Sequence, residues 1–179
     1  MLESGLGEAW YNQGVGNETL FIVLLKQRLR DINSQDWQGR LNESTRAHFY
    51  RSIVPSVDSK SYLNTVNIKS HRIALTRLRV SSHNLRVETG RWERPVILRN
   101  ERLCPACNNK LEDEFHFIFE CKLYEHLRKR LLPRYYWQHP LMSKLLELFN
   151  TDKHKLIRAL AKFVHLASLE KKNHFERMR

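Results

Sequence analysis

A chain of 179 residues with 41% hydrophobic residues is long enough to bury a core, which excludes wholesale disorder. Six glycines and five prolines are too few for an all-β fold with many tight turns. A net charge of +12 and a pI of about 9.9 point to a polyanionic partner, most often RNA or DNA, against the plainer reading of a solvated basic surface.

Residues 1–16 hold four glycines among scattered polar residues and read as a loose leader, an arbitrary start inside a larger protein. From Asn17 the pattern is helical. Phe21, Leu25, Leu29 and Ile32 share one helical face, and the apolar run 20–25 reads as the buried side of that helix. The run is too short for the about 20 apolar residues that a membrane span needs. Glu3, Glu8 and Glu18 precede it, unlike the basic start of a signal peptide. Asn17-Glu18-Thr19 and Asn42-Glu43-Ser44 therefore read as chance matches to the glycosylation pattern.

Ser34 is placed to cap a second helix carrying Trp37, Leu41, Thr45, Phe49 and Ile53, ended by Pro55. A third helix is expected over residues 68–81. Its charges, Lys69, Arg72, Arg77 and Arg79, have no acid among them. Gly90, Pro95 and the pair Val96-Ile97 suggest an extended or looped crossing over 86–99. A basic helix over 122–132 follows the cysteines, with Leu123, Leu127 and Leu131 as its apolar stripe and Lys122, Arg128, Lys129 and Arg130 as its charges. Tyr135, Tyr136 and Trp137 are expected to pack rather than stack on bases. Pro140 opens a helix with Leu141, Leu145, Leu148 and Phe149 inward, and a last helix runs from Asp152 almost to the end. The fold expected is mainly α, a helical assembly with a small embedded zinc-binding segment. Its parts are the leader 1–16, a helical region 17–98, the zinc segment 99–132 and the C-terminal helices 133–179.

The cysteine segment carries the most specific chemistry. Cys104-Pro105-Ala106-Cys107 is followed after eight residues by His116 and after four more by Cys121. Two intervening residues let both thiolates of a tight turn face one centre. His116 and Cys121, five positions apart, can meet across one helical turn. Three cysteines and a histidine form a structural zinc set, and soft thiolates with imidazole favour zinc over magnesium or calcium. His116 precedes Cys121 on the same short segment and is better placed than the alternative, His126. A filled four-ligand site keeps no open position, so it would be structural rather than catalytic. Arg102, Lys110 and Lys122 are placed to offset its negative charge. An odd number of cysteines at this spacing also argues for a reducing, intracellular compartment, nuclear or cytoplasmic.

The stretch from His83-Asn84-Leu85-Arg86 through Leu103-Cys104-Pro105-Ala106-Cys107, and then Leu111-Glu112-Asp113-Glu114-Phe115-His116-Phe117 to Cys121, resembles the zinc-binding region that follows the reverse transcriptase domain in non-LTR retrotransposon polyproteins. The resemblance covers residues 70–130. It implies that Cys104, Cys107, His116 and Cys121 are the metal ligands, and that a polymerase domain stands upstream in a larger polyprotein. The chain has no Asp-Asp dipeptide, so the polymerase palm is missing. Asp152 is the sole aspartate beyond residue 133, too few acids for a two-metal nuclease.

No Ser-His-Asp signature, HExxH or phosphate loop appears, so a hydrolase using His83 or His116 is the weakest reading and no enzyme is expected. The expected function is a retroelement-derived, zinc-stabilised nucleic-acid-binding module, with a zinc-stabilised protein-interaction module as the alternative. The candidate phosphate contacts are Lys69, Arg72, Arg77 and Arg79 on one helix and Lys122, Arg128, Lys129 and Arg130 on the other, which give affinity without sequence reading. Arg91, Trp92 and Arg94 set an aromatic among cations, although Trp92 reads rather as a core or lid residue. Lys171, Lys172, Arg177 and Arg179 form an electrostatic arm or a solvated helix end.

Overall fold

A computed structural model describes residues 7–12, 14–54 and 61–176. The chain divides into two units, Met1–Thr45 and Arg46–Arg179. Among the described residues there is no strand, only an isolated antiparallel bridge between Leu103 and Leu111. The mainly helical class expected from the apolar spacing is the class observed. No helix of the described residues is long and apolar enough to cross a membrane.

The first unit holds α1 (Gly7–Tyr11) and α2 (Glu18–Glu43). A short helix thus stands in part of the expected leader, whose residues 1–6 and 13 lie outside the described set. Asn17 caps α2, its side chain accepting from Leu20 N at 3.0 Å. The helix runs unbroken through Ser34, so the expected boundary there is corrected. A serine can cap only where the chain before it leaves helical geometry, and no Gly or Pro precedes Ser34 within the helix. Pairs four residues apart hold the exposed faces, Gln27 with Asp31 at 2.9 Å and Arg40 with Asp36 at 2.7 Å. The expected buried face is also corrected: Leu20, Ile22, Val23, Leu24 and Leu29 are exposed, Phe21, Leu25 and Ile32 are half-buried, and Leu41 is the one buried residue of α2.

The second unit contains α3 (His48–Ile53), α4 (Tyr62–Thr65), α5 (Lys69–Arg79) and α6 (Arg86–Thr89). After the metal segment come α7 (Glu125–Leu131), α8 (Arg134–Gln138), α9 (Met142–Asn150) and α10 (His154–Glu176). The expected stripe from Trp37 to Ile53 is therefore split between two helices in two units, and its stop at Pro55 lies outside the described residues. Residues 86–99 carry one helical turn at their start rather than a wholly extended crossing. The helix expected over 122–132 begins as a 3-10 turn, Lys122–Tyr124, before α7.

The spine of this unit is α10, which packs against α4, α5, α7 and α9. It buries Leu156, Ile157, Leu160, Ala161, Phe163, Val164 and Ala167, the apolar face that its spacing of three and four predicts. Phe117 of the metal segment meets Phe163 with ring centroids 6.1 Å apart and Tyr124 at 4.9 Å. The aromatic residues around the expected ligands are thus core. Of the 135–137 cluster, Tyr136 is buried and Tyr135 exposed, and both hydroxyls donate to Glu147 of α9.

Candidate metal centre

The centre is built on a loop and one wide helical turn. Cys104 N donates to Lys110 O at 2.8 Å and Glu112 N to Arg102 O at 3.0 Å, closing residues 103–111 into a knuckle around the Leu103–Leu111 bridge. Within it Asn108 N donates to Cys104 O at 2.7 Å, and Asn108 adopts φ 49°, a left-handed geometry that Asn tolerates better than most residues. The next turn, His116–Glu120, is a π-helix. Asp113 starts it, its Oδ1 accepting from His116 N at 2.8 Å. The bond of Cys121 N to His116 O, 2.9 Å, spans five residues. The wide turn brings the Cys121 amide back to the His116 carbonyl, one residue further along than an α-turn would close.

Donor atoms of Cys104, Cys107 and His116 all lie within 4.8 Å of one another, and this group can hold a metal ion. Cys107 Sγ is 3.5 Å from His116 Nε2. Cys121 stands beside the group rather than within it, its Sγ 3.8 Å from Cys104 Sγ. Cys104, Cys121 and His116 are buried and Cys107 is half-buried. His126, the alternative to His116, is exposed and faces Glu170 at 3.5 Å.

Titration in the metal-free site follows from the contacts. Donation to Cys121, aided by burial, pushes the Cys104 thiol up to about 12, while the same bond holds the accepting Cys121 below its ordinary value. Burial works against a charged His116, but the bonds to Cys104 and Glu120 outweigh it and raise the imidazole to about 9. Glu120 Oε2 lies 3.2 Å from His116 Nδ1, leaving Nε2 to face Cys107. Lys110 Nζ bonds Glu120 Oε1 at 2.7 Å. Burial opposes ionisation of Glu120, yet the bonds from Lys110 and His116 keep its carboxyl below its usual range.

Glu120 was not singled out in the sequence, although an acid four residues after a ligand histidine on one turn is a readable signal. Lys110 supports the site as expected, through Glu120. Arg102 does not: its guanidinium donates to Val87 O at 2.6 Å and Ile97 O at 2.9 Å and 3.0 Å, clamping the 86–98 loop. Gly90 makes room for it, since a Cβ there would meet Arg102 Cγ at 2.8 Å. Lys122 is exposed.

The expected phosphate contacts divide by burial. Lys69, Arg77, Lys122, Lys129 and Arg130 are exposed, and Arg72 is half-buried, donating to Val66 O at 3.0 Å. Arg79 and Arg128 are corrections. Arg79 is buried, donating to Phe149 O at 2.8 Å with its guanidinium 4.9 Å over the Tyr62 ring. Arg128 is buried too, donating to Ile118 O at 2.6 Å and Cys121 O at 2.9 Å. Both satisfy carbonyls at the ends of neighbouring elements and are structural cations that no phosphate reaches. Lys129 is paired with Glu125 at 2.6 Å.

A buried ion pair ties the knuckle to α10. Lys171 Nζ contacts both Glu112 oxygens at 2.6 Å and 2.7 Å and Asn84 O at 2.9 Å, while Arg86 N donates to Glu112 Oε2 at 2.7 Å. Lys171 is thus a core lysine, not part of a C-terminal electrostatic arm, and Arg177 and Arg179 of that arm lie outside the described residues. No family model, no curated protein and no solved structure matches the chain.

Proposed function

We propose that the chain is a zinc-stabilised nucleic-acid-binding module derived from a non-LTR retroelement. The observation that carries the zinc assignment is a pair of distances. With zinc–sulfur bonds of about 2.3 Å and zinc–nitrogen bonds of about 2.0–2.1 Å, a tetrahedron has sulfur–sulfur edges of roughly 3.8 Å and sulfur–nitrogen edges of roughly 3.5 Å. Cys104–Cys121 at 3.8 Å and Cys107–His116 at 3.5 Å match those edges. The donor set of three thiols and an imidazole is soft, as zinc prefers. Cys104, Cys107 and His116 would hold the ion, with Cys121 closing the set from its place beside Cys104. Bound there, zinc would cross-link the knuckle to the π-turn, and Glu120 would fix the imidazole orientation.

The nucleic-acid reading rests on the charge of +12 and on the exposed cations Lys122 and Arg130 beside the metal segment, with Lys69 and Arg77 on α5. The retroelement origin, with a polymerase domain upstream, rests on the resemblance over residues 70–130. The experiment has two parts. Elemental analysis of protein purified without chelator is expected to give one zinc per chain. Replacing Lys122, Lys129 and Arg130 together by Ser is expected to flatten the log–log salt slope of binding by roughly 0.7–0.9 per lost phosphate contact, at unchanged zinc content. Parent-like binding by that variant would remove the α7 face from the reading. A second reading, a zinc-stabilised protein-interaction module, is favoured by one observation: Leu20, Ile22, Val23 and Leu24 of α2 are all about half exposed.

A further inference from the structure

A groove of the second unit has a volume of about 1000 Å³ and is lined from α5, α10 and the 81–92 segment. Trp92, which lines it, is 64% exposed and so is not a core residue. An indole this exposed on a concave surface gains little from its own fold and leaves a large π-face facing solvent. Arg46 lies over the Trp92 ring with its guanidinium 4.4 Å from the centroid, which steadies the indole from one side. Arg46 and the exposed Arg77 both line the groove, while Ser82 and Asn84 add hydrogen-bonding groups to its wall. Glu88 is the one carboxylate among the described lining residues. It is buried and faces Arg91 at 3.2 Å, so the groove's accessible charge is positive.

We propose that this groove is a single-strand site, in which a base of RNA or DNA stacks on Trp92 while Arg46 and Arg77 meet the flanking phosphates. The proposal deepens the nucleic-acid reading above and rests on it. A π-face flanked by cations is sequence-tolerant, because every base has a face to stack. It also selects single strands, because a duplex keeps its base faces within its own stack. The hydroxyl of Ser82 and the amide of Asn84 suit the mixed donor and acceptor edges of a base.

The test uses the full chain, a labelled oligothymidylate of about 12 nucleotides, an abasic strand of the same length and a blunt-ended duplex of two complementary strands. Trp92→Ala is expected to weaken oligothymidylate binding on the order of tenfold, and Trp92→Phe to keep most of it. Duplex and abasic-strand binding should be the same for parent and Trp92→Ala, since neither offers a free base. Parent-like oligothymidylate binding by Trp92→Ala would overturn the groove assignment and leave the nucleic-acid reading standing. So would an equal loss on the abasic strand, which would mean that Trp92 acts on the backbone or the fold. If the parent binds neither strand nor duplex, the nucleic-acid reading itself fails and the groove proposal falls with it.

Discussion

Helix α2 and the metal segment are opposite solutions to holding a backbone in place. The first is 26 residues of regular helix with a single buried side chain, Leu41. Its supports include local ones, the Asn17 cap and side-chain pairs four residues apart. The second has no regular element longer than the five residues of its π-turn, yet Phe117, Ile118 and Phe119 are buried and its polar groups reach far along the chain. Lys171 meets Glu112 from 59 residues away. Regularity and burial are therefore independent here. Propensity and capping can sustain a long helix with exposed faces, while an irregular turn persists where distant groups fix it.

The largest expected effect breaks the metal segment and spares α2. Cys107→Ser or His116→Ala removes a donor from a centre whose zinc would contribute on the order of 10 kcal/mol or more. Hydrogen exchange should show amides of residues 103–124 losing protection while those of α2 keep theirs. Loss of protection in both regions would show that the two are coupled, and the contrast drawn between them would fail.

A smaller effect separates the metal from the packing around it. Lys171→Met leaves the Glu112 carboxylate buried without its partner, a change that costs about 3–5 kcal/mol when one member of a buried pair is removed. The double variant Lys171→Met, Glu112→Leu should recover most of that loss, since an apolar pair of similar volume tolerates burial. Urea denaturation of the zinc-loaded protein measures both. A single variant as stable as the parent would mean that the pair does not anchor the knuckle.

Acidity should act on the metal before it acts on the helices. In the metal-free protein Cys104 titrates at about 12 and His116 at about 9, so near neutral pH both carry protons that zinc must displace. The sign follows: protons compete with the metal, so affinity falls as pH falls. Each displaced proton gives a change of about one log unit in affinity per pH unit, roughly 1.4 kcal/mol, so these two groups set a floor of about two log units per pH unit between about pH 6 and 8. Chelator competition across that range would measure it. Affinity independent of pH would show that these two groups do not lose protons to the ion.

What the sequence made legible follows from the same contrast. The helices α5, α9 and α10 were readable because one face of each meets the core, and the group of Cys104, Cys107 and His116, which can hold a metal ion, was readable because thiols at fixed spacing have few other uses. Burial of individual cations was not readable. Arg79 and Arg128 sit on helices whose neighbouring Arg77 and Lys129 are exposed. What buries them is a carbonyl supplied by another element, Phe149 O for Arg79, and Ile118 O and Cys121 O for Arg128. Such partners depend on tertiary geometry that no local spacing encodes. The exposed apolar run of α2 escaped for the same reason, since periodicity marks a face without stating that anything covers it.

The smallest predicted effect tests the other half of the comparison. If α2 is held by local terms, then removing its cap should matter locally and nowhere else. Asn17→Ala takes away the side-chain oxygen that accepts from Leu20 N, leaving one of the first-turn amides without a protein partner. Caps of this kind are worth about 1 kcal/mol. The fraying should therefore raise exchange severalfold at the first turn, where Glu18 also sits favourably against the helix dipole. Amides beyond the second turn should be unchanged, because pairs such as Gln27–Asp31 and Arg40–Asp36 sustain the helix independently of its start. Zinc affinity should not move, since Asn17 belongs to the first unit and the ligands to the second. An Asn17→Asp variant should retain the acceptor and add a negative charge at the helix N-terminus, giving parental protection or better. If Asn17→Ala instead lowers zinc affinity, the first unit takes part in the stability of the metal segment, and its exposed apolar residues would have to be reconsidered as part of a shared structure.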